Sequence, residues 1–336
     1  MASRIDEEVR AAIKAIDGEE ASAAEKAEML MEIAMGLQAK PKSPAQLLSA
    51  VELYERSLAQ CPPEQFLLHA RIEARMATAL QAIPGNTSEY LERARTSFEA
   101  ARAIFKDHGT AEETAETEMN LGLVIQTLCG MNKAIITDAI SAYQRSLRTF
   151  DKKKYPKEFA ILQNNLATAF LSMAFTDQRS KMREALAVQS FEEGLTVVNL
   201  IDHPTEYAML QSNLGNALQY SSSSHAVENN LRALEAYGEA LKVRTLQTTP
   251  LEYANTISNK ANCLLSLPDD PEHPENGNAE NLASAIALYE EAHGIFLANN
   301  VSENADMVRG ILLDIRREQT NDPGGKSRGN GEARPV

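Results

Sequence analysis

The 336-residue chain has no tryptophan, three cysteines and no long apolar run. Cys61, Cys129 and Cys263 lie far apart, so they form neither a disulfide framework nor a CxxC metal pair. No apolar stretch approaches the ~20 residues that a membrane-spanning helix needs. Residues 1–10 are charged and lack the apolar core of a signal peptide. We therefore expect a soluble, cytoplasmic protein with no membrane partner.

Basic residues are also scarce relative to acidic ones. The chain has 33 Lys and Arg against 47 Asp and Glu, and its net charge is −14. A protein that binds phosphates needs clustered Lys and Arg, so we expect no nucleic-acid partner. The acidity favours solubility and attraction to a basic partner.

The sequence shows no arrangement of residues typical of catalysis. Its six histidines have no HxxxH or HExxH spacing, and no glycine-rich phosphate loop follows an apolar strand. The acidic loop at residues 268–278, PDDPEHPENGN, lacks the ligand spacing of an EF-hand. We expect no enzymatic activity, no cofactor and no metal.

A long repeat runs through most of the sequence. Six times an alanine is followed four residues later by an aromatic residue and three residues after that by a small one. The aromatic residues are 44 to 52 positions apart, a period typical of helical solenoids. The six sets are Ala50/Tyr54/Ser57, Ala94/Phe98/Ala101, Ala139/Tyr143/Ser146, Ala187/Phe191/Gly194, Ala233/Tyr237/Ala240 and Ala285/Tyr289/Ala292.

A second helical series alternates with the first and has the same period. Two series with one period predict six helix–turn–helix pairs in an all-α solenoid. The reference alanines of this second series are Ala27, Ala70, Ala115, Ala160, Ala208 and Ala254. We predict an N-terminal segment at 1–18 that can form a short helix, a repeat domain at 19–318 that ends in a capping helix, and a disordered tail at 319–336.

The repeats resemble those of the tetratricopeptide repeat (TPR) family. That family's first helix carries a Leu-Gly or Leu-Ala pair, which appears here in Asn120-Leu121-Gly122, Asn165-Leu166-Ala167 and Asn213-Leu214-Gly215. Its second helix carries the Ala, aromatic and small residues given above. The usual TPR period is 34 residues, and the longer one here resembles bacterial TPRs associated with CHAT peptidases. The resemblance implies a right-handed superhelix of six helix pairs plus a capping helix.

The resemblance also implies a binding site. In TPRs the first helices line a concave groove, and fixed positions on them contact a partner peptide. Amides and hydroxyls at these positions suit the backbone of an extended peptide. Alternatively, some of the Asn side chains bond only to the backbones of neighbouring helices. The matching residues are Met119, Leu123, Gln126, Asn164, Thr168, Leu171, Ser212, Asn216, Gln219, Ser258 and Asn262.

We expect a non-catalytic scaffold or adaptor that binds a peptide or helix of another protein in this groove. The positions hold no Lys or Arg, so the resemblance does not extend to TPRs that bind the C-terminal carboxylate of chaperones. One alternative is an assembly or regulatory subunit of a larger enzyme complex that makes contact through its convex face or through residues 268–278. Another is an enzyme with a cavity inside the superhelix. Pairing of two arrays into a homo-oligomer is compatible with the resemblance.

Overall fold

The computed structural model describes residues 4–85, 88–173, 179–221 and 225–321. In these residues the protein forms α-helices and one short 3₁₀ helix, Pro274–Asn276, and no strand. The helices are α1 (Arg4–Asp17), α2 (Ala23–Ala39), α3 (Pro44–Gln60), α4 (Phe66–Ala82), α5 (Ser88–His108), α6 (Ala111–Gly130), α7 (Ile136–Ser146), α8 (Pro156–Leu171), α9 (Arg179–Leu195), α10 (Pro204–Gln219), α11 (Ala226–Leu241), α12 (Pro250–Leu265), α13 (Ala279–Ala298) and α14 (Ser302–Asn321).

The protein divides into two compact units, Met1–Lys154 and Tyr155–Val336, called unit 1 and unit 2. Unit 1 stacks the pairs α2/α3, α4/α5 and α6/α7, and α1 packs on α2 and α3. Unit 2 stacks α8/α9, α10/α11 and α12/α13, and α14 packs on α13. The structure thus confirms the all-helical solenoid class and, within the described ranges, the predicted helix pairs and unpaired last helix.

Local sequence signals explain where several of these helices begin. Ser22 and Thr110 precede α2 and α6 and form capping boxes with Glu25 and Glu113, so that each side chain bonds the other residue's backbone N–H. Helices α8, α10 and α12 begin with a proline, which is tolerated at the first position because its missing N–H would have no acceptor there. These signals mark the start of five of the six first helices; α4 begins after Gln65 without such a cap.

The core of each pair consists of the repeat residues themselves. All six reference alanines are at most 2% exposed, and the six aromatic side chains of the second helices are fully buried. In two pairs a glycine makes room for the aromatic ring. A Cβ built on Gly215 would lie 2.6 Å from Cε1 of Tyr237, and one on Gly122 would lie closer still to Tyr143.

The acidic loop at 268–278 is tied to the start of α13. The carboxylate of Asp269 accepts the backbone N–H groups of Glu280 and Asn281, at 3.0 and 2.8 Å. The amide of Asn281 in turn donates to the carbonyls of Leu267 and Pro268. Asp269 therefore satisfies two of the free N–H groups at the helix N-terminus.

The C-terminal helix α14 continues to Asn321. Residues 322–336 lie outside the described part of the protein, so the disorder of the tail stays a prediction. The same holds for the domain boundaries that the sequence suggests.

Candidate functional site

The eleven predicted site residues lie on the first helices of four pairs: α6 in unit 1, and α8, α10 and α12 in unit 2. We call the side of these helices that carries them the first-helix face. The two units are described separately below. Within unit 2, successive first helices are in direct contact: α8 contacts α10, and α10 contacts α12.

In unit 1 the first-helix face of α6 is largely apolar. Met119, Leu123 and Gln126 are all half-buried. The side-chain oxygen of Gln126 accepts a hydrogen bond from the hydroxyl of Tyr143, at 2.8 Å. Burial raises the pKa of Tyr143 well above its ordinary value, so the phenol keeps its proton and remains a donor. Gln126 therefore already has a partner inside its own helix pair.

The bond between a repeat tyrosine and an amide recurs along the sequence. Tyr54 donates to Gln38 at 2.7 Å, and Tyr237 donates to Gln219 at 2.8 Å. Gln38, Gln126 and Gln219 all lie eleven residues after the reference alanine of their first helix. These glutamines are thus the acceptors that allow a tyrosine hydroxyl to be buried.

In the two remaining pairs of unit 2, the position that carries glutamine elsewhere carries leucine. In α12 the equivalent position is Leu265, and Tyr289 donates instead to Asn262, at 2.5 Å. In α8 the equivalent position is Leu171, and its partner helix carries Phe191, which has no hydroxyl to satisfy. Of the predicted site residues, Asn262 and Leu171 therefore have an evident packing role.

Asparagines join successive first helices in unit 2. The amide nitrogen of Asn213 on α10 donates to the side-chain oxygen of Asn164 on α8, at 2.7 Å. That of Asn259 on α12 donates to Asn216 on α10, at 2.9 Å. We call Asn164, Asn213, Asn216 and Asn259 the amide ladder. These amides bond side chains of the neighbouring helix, whereas the alternative drawn from the sequence has them bond its backbone.

The ladder includes two residues that the sequence analysis did not place in the site. Asn213 and Asn259 occupy the position before the Leu, or before Lys260, of the repeat motif. Their recurrence at this position was visible in sequence, but the neighbouring positions were chosen instead. The hydroxyl residues of the face bond their own helices: Thr168 donates to the carbonyl of Asn165 and Ser258 to that of Ala254. The remaining predicted residue, Ser212, is 4% exposed.

One series of amide bonds ends in a donor without a partner. Asn213 donates to Asn164, and the Asn164 amide nitrogen lies 3.4 Å from the side-chain oxygen of Asn165. The amide nitrogen of Asn165 is buried and has no hydrogen-bond partner among the described residues. Asn165 is only 7% exposed. As placed, the orphan atom at the end is a donor; if all three amides rotate by half a turn, the bonds reverse and the orphan becomes the Asn165 oxygen.

Gln219 carries a second orphan atom. The hydroxyl of Tyr237 lies 2.8 Å from the side-chain oxygens of both Asn216 and Gln219, yet it has one hydrogen to donate. As placed, the amide nitrogen of Gln219 is buried without a partner among the described residues. If the amide rotates by half a turn, its nitrogen donates to the hydroxyl and its oxygen becomes the orphan. Either way, one buried amide atom of Gln219 needs a partner.

Other chemistry has little support in the described part of the protein. No group of three or more His, Cys, Asp or Glu side chains there could hold a metal ion, and none of its helices is both long and apolar enough to cross a bilayer. Burial raises the pKa of the Cys263 thiol to about 12, so this cysteine stays protonated and unreactive at neutral pH. A cavity of about 50 Å³ in unit 1, lined by Ala74, Thr78 and Phe98 among others, has room for little more than a water molecule.

Comparison with known proteins gives little further information. No protein-family model matches this sequence, and no curated protein matches it either. Among solved structures, the protein is similar to the TPR2AB domain of yeast Sti1, determined as a complex with pHSP90. The two are 15% identical, the match covers 86% of this chain and 98% of that one, and the TM-score is 0.28. A match this weak does not establish family membership or function.

Proposed function

We propose that this protein is a non-catalytic scaffold of the bacterial cytoplasm that binds a peptide of a partner protein on its first-helix faces. The proposal includes no nucleic-acid or membrane partner. The observation that carries it is the pair of orphan amide atoms on Asn165 and Gln219, on two adjacent first helices of unit 2. Buried polar groups in folded proteins nearly always have partners, so these two atoms favour a further polar partner, which meets them when the two side chains turn outward.

An extended peptide backbone supplies the missing partners. The orphan amide atoms of Asn165 and Gln219 each need an acceptor or a donor, according to the rotamer of the amide. A backbone offers both at each residue. Leaving one buried polar group unsatisfied costs about 1–3 kcal/mol, and a ligand that fills both positions recovers that free energy on binding.

Unit 1 offers a different contact on its own first-helix face. Met119 and Leu123 are half-buried on α6, so part of each apolar side chain remains open to a ligand. Methionine is flexible and polarisable, and adapts to irregular apolar partners. We therefore expect unit 1 to contact apolar side chains and unit 2 to contact backbone amides.

The test is capture of partners from lysate of the native organism with single-lysine variants that block each face. Leu123→Lys blocks the unit 1 face and Thr168→Lys the unit 2 face; both positions are half-buried and lie outside the amide ladder. Gln189→Lys adds the same charge at an exposed position of α9 and is the matched control.

Loss of a captured protein with either face variant, but not with the control, supports the proposal when circular dichroism shows unchanged helicity. Equal capture by all three variants contradicts binding at these faces. Isothermal titration with a peptide from the captured protein then gives the affinity of each variant.

A second function has one observation in its favour. Asp269 ties the loop at 268–278 to the start of α13, while Asp270 is half-buried and Glu272 and Glu275 are exposed. A preorganised acidic loop suits a basic partner, as expected of an assembly or regulatory subunit. Replacing Glu272 and Glu275 with Gln removes the charge and keeps the Asp269 cap. Loss of the partner with this variant alone would favour the loop over the first-helix faces.

A further inference from the structure

The loop at 268–278 also contains a chemically reactive pair, Asn276 and Gly277. Asn276 is exposed at the end of the 3₁₀ helix Pro274–Asn276. Gly277 has a φ of 90°, a conformation that favours glycine, and apart from its two chain neighbours no heavy atom lies within 4 Å of where its Cβ would be. The side of Gly277 on which a Cβ would stand is therefore open.

We propose that Asn276 is a site of spontaneous deamidation. The backbone nitrogen of Gly277 loses its proton to water and attacks Cγ, the amide carbon of the Asn276 side group. A new bond forms between that nitrogen and Cγ, the bond from Cγ to Nδ2 breaks, and Nδ2 takes up a proton and leaves as ammonia. The product is a five-membered succinimide. Water then adds to either ring carbonyl and opens the ring to aspartate or isoaspartate, so that overall one water is consumed and one ammonia is released.

Two features of the pair favour the attack. Glycine has no side group to hinder the approach of its nitrogen to the neighbouring amide carbon. The Gly277 N–H donates to the carbonyl of Pro274 at 3.3 Å, beyond the usual distance for an N–H···O bond. Little hydrogen-bond energy therefore holds this nitrogen in place.

Other asparagines of the described loops lack this combination. Asn278 is followed by alanine, and its amide donates to the carbonyl of Leu265 at 3.4 Å. Asn300 is followed by Val301, whose branching at Cβ crowds the attacking nitrogen. Asparagines inside the α-helices precede residues whose N–H groups belong to the helix bonding pattern. Asn278 and Asn300 are thus internal controls.

Deamidation would loosen the N-terminus of α13. The carbonyl of Gly277 accepts the backbone N–H of Asp269 at 2.9 Å, and the Asp269 carboxylate caps Glu280 and Asn281. Isoaspartate lengthens the backbone by one methylene directly before Gly277, and either product adds a negative charge to an acidic loop. The site would therefore act as a slow, irreversible switch on the α13 cap.

The experiment is peptide mapping by mass spectrometry of the full-length protein, aged at neutral pH, with Asn276→Gln as the control. Glutamine keeps the amide but forms the larger ring intermediate far less readily. We expect the peptide that contains Asn276 to convert to both aspartate and isoaspartate, while Asn278, Asn300 and the Gln variant stay unchanged. The other Asn–Gly pair of the sequence, Asn330–Gly331, lies outside the described residues and is followed on its own peptide.

Hydrogen exchange tests the structural consequence. Loss of a helix cap worth about 1 kcal/mol should raise the exchange of the Glu280 and Asn281 amides by about fivefold in the isoaspartate fraction. Retention of the amide at Asn276 while Asn330 converts would overturn the proposal, because the loop would then protect the site. Conversion without a change in exchange would overturn the switch.

Discussion

The two units use the same helix pairs but join their first helices with different chemistry. In unit 1, ion pairs cross from α4 to α6: Arg71 to Glu113 at 2.6 Å and Arg75 to Glu116 at 3.6 Å. In unit 2, neutral amides make the crossing from α8 to α10 and from α10 to α12, and an ion pair, Lys157 to Glu206 at 3.3 Å, accompanies them. The arginines of unit 1 are about half exposed, whereas the ladder amides are buried or half-buried.

This difference shows that the repeat specifies which helices pair, but does not specify which polar side chains connect successive first helices. Exposed ion pairs add little stability and are screened by salt. Buried amide bonds are insensitive to salt, but removing one partner leaves the other unsatisfied in the core. The first-helix face of unit 2 is therefore rigid and intolerant of substitution, and that of unit 1 is adaptable.

The largest expected effect is at Asn216. Its side-chain oxygen accepts from both the Tyr237 hydroxyl and the Asn259 amide. Asn216→Ala should lower the free energy of unfolding by about 3 kcal/mol, because it leaves the buried Asn259 amide without its acceptor, while Tyr237 can still donate to Gln219. Urea denaturation measures the loss, and hydrogen exchange should locate it in α10 and α12. A loss no larger than that of a typical surface substitution would show that the ladder does not stabilise unit 2.

A somewhat smaller loss of stability is expected where both units pack a glycine against a repeat tyrosine. Gly122→Ala and Gly215→Ala each place a methyl group against the ring of a repeat tyrosine. We expect each to cost about 2 kcal/mol through overpacking. Gly36 and Gly238, also in helices, have open space at the same position. Alanine there should leave stability unchanged or raise it by up to about 1 kcal/mol. Equal thermal shifts for all four variants would refute the packing role of Gly122 and Gly215.

Replacing the two buried phenylalanines of the repeat with tyrosine should change stability in opposite directions in the two units. In unit 1, Gln81 lies eleven residues after its reference alanine, where other repeats place the tyrosine acceptor, but the aromatic residue is Phe98. Phe98→Tyr should add a tyrosine–glutamine bond and stabilise by about 1 kcal/mol. In unit 2, Phe191→Tyr should destabilise by about 1–3 kcal/mol because Leu171 offers no acceptor. Thermal melts of both variants measure the two changes in stability. Shifts of the same sign would contradict the idea that the residue eleven positions after the reference alanine accepts the tyrosine hydroxyl.

The sequence predicts the helix pairs well and the amide bonds between helices poorly, for a physical reason. Packing follows from periodic apolar positions, which is why Ala115 and Tyr143 could be placed in the core from spacing alone. The amide bonds depend on which polar atoms meet across two helices, and spacing does not give that distance. One partial signal is present: glutamine accompanies tyrosine in the repeats of Tyr54, Tyr143 and Tyr237, and leucine accompanies Phe191. The repeats of Phe98 and Tyr289 break the correlation with Gln81 and Leu265, so it favours Gln126 and Gln219 as internal acceptors without identifying them.

The smallest expected effect belongs to the ion pairs of unit 1. Arg71→Ala should lower the free energy of unfolding by only about 0.5 kcal/mol at low salt, because about half of the arginine side chain is exposed to solvent. Near 1 M salt, where the screening length is about 3 Å, the difference from wild type should vanish. The Asn216→Ala loss should persist at the same salt, since its cause is an unsatisfied buried group rather than a charge. Urea titrations at low and high salt measure both, and an Arg71 effect that survives high salt would mean that the unit 1 crossing depends on packing of the arginine stem.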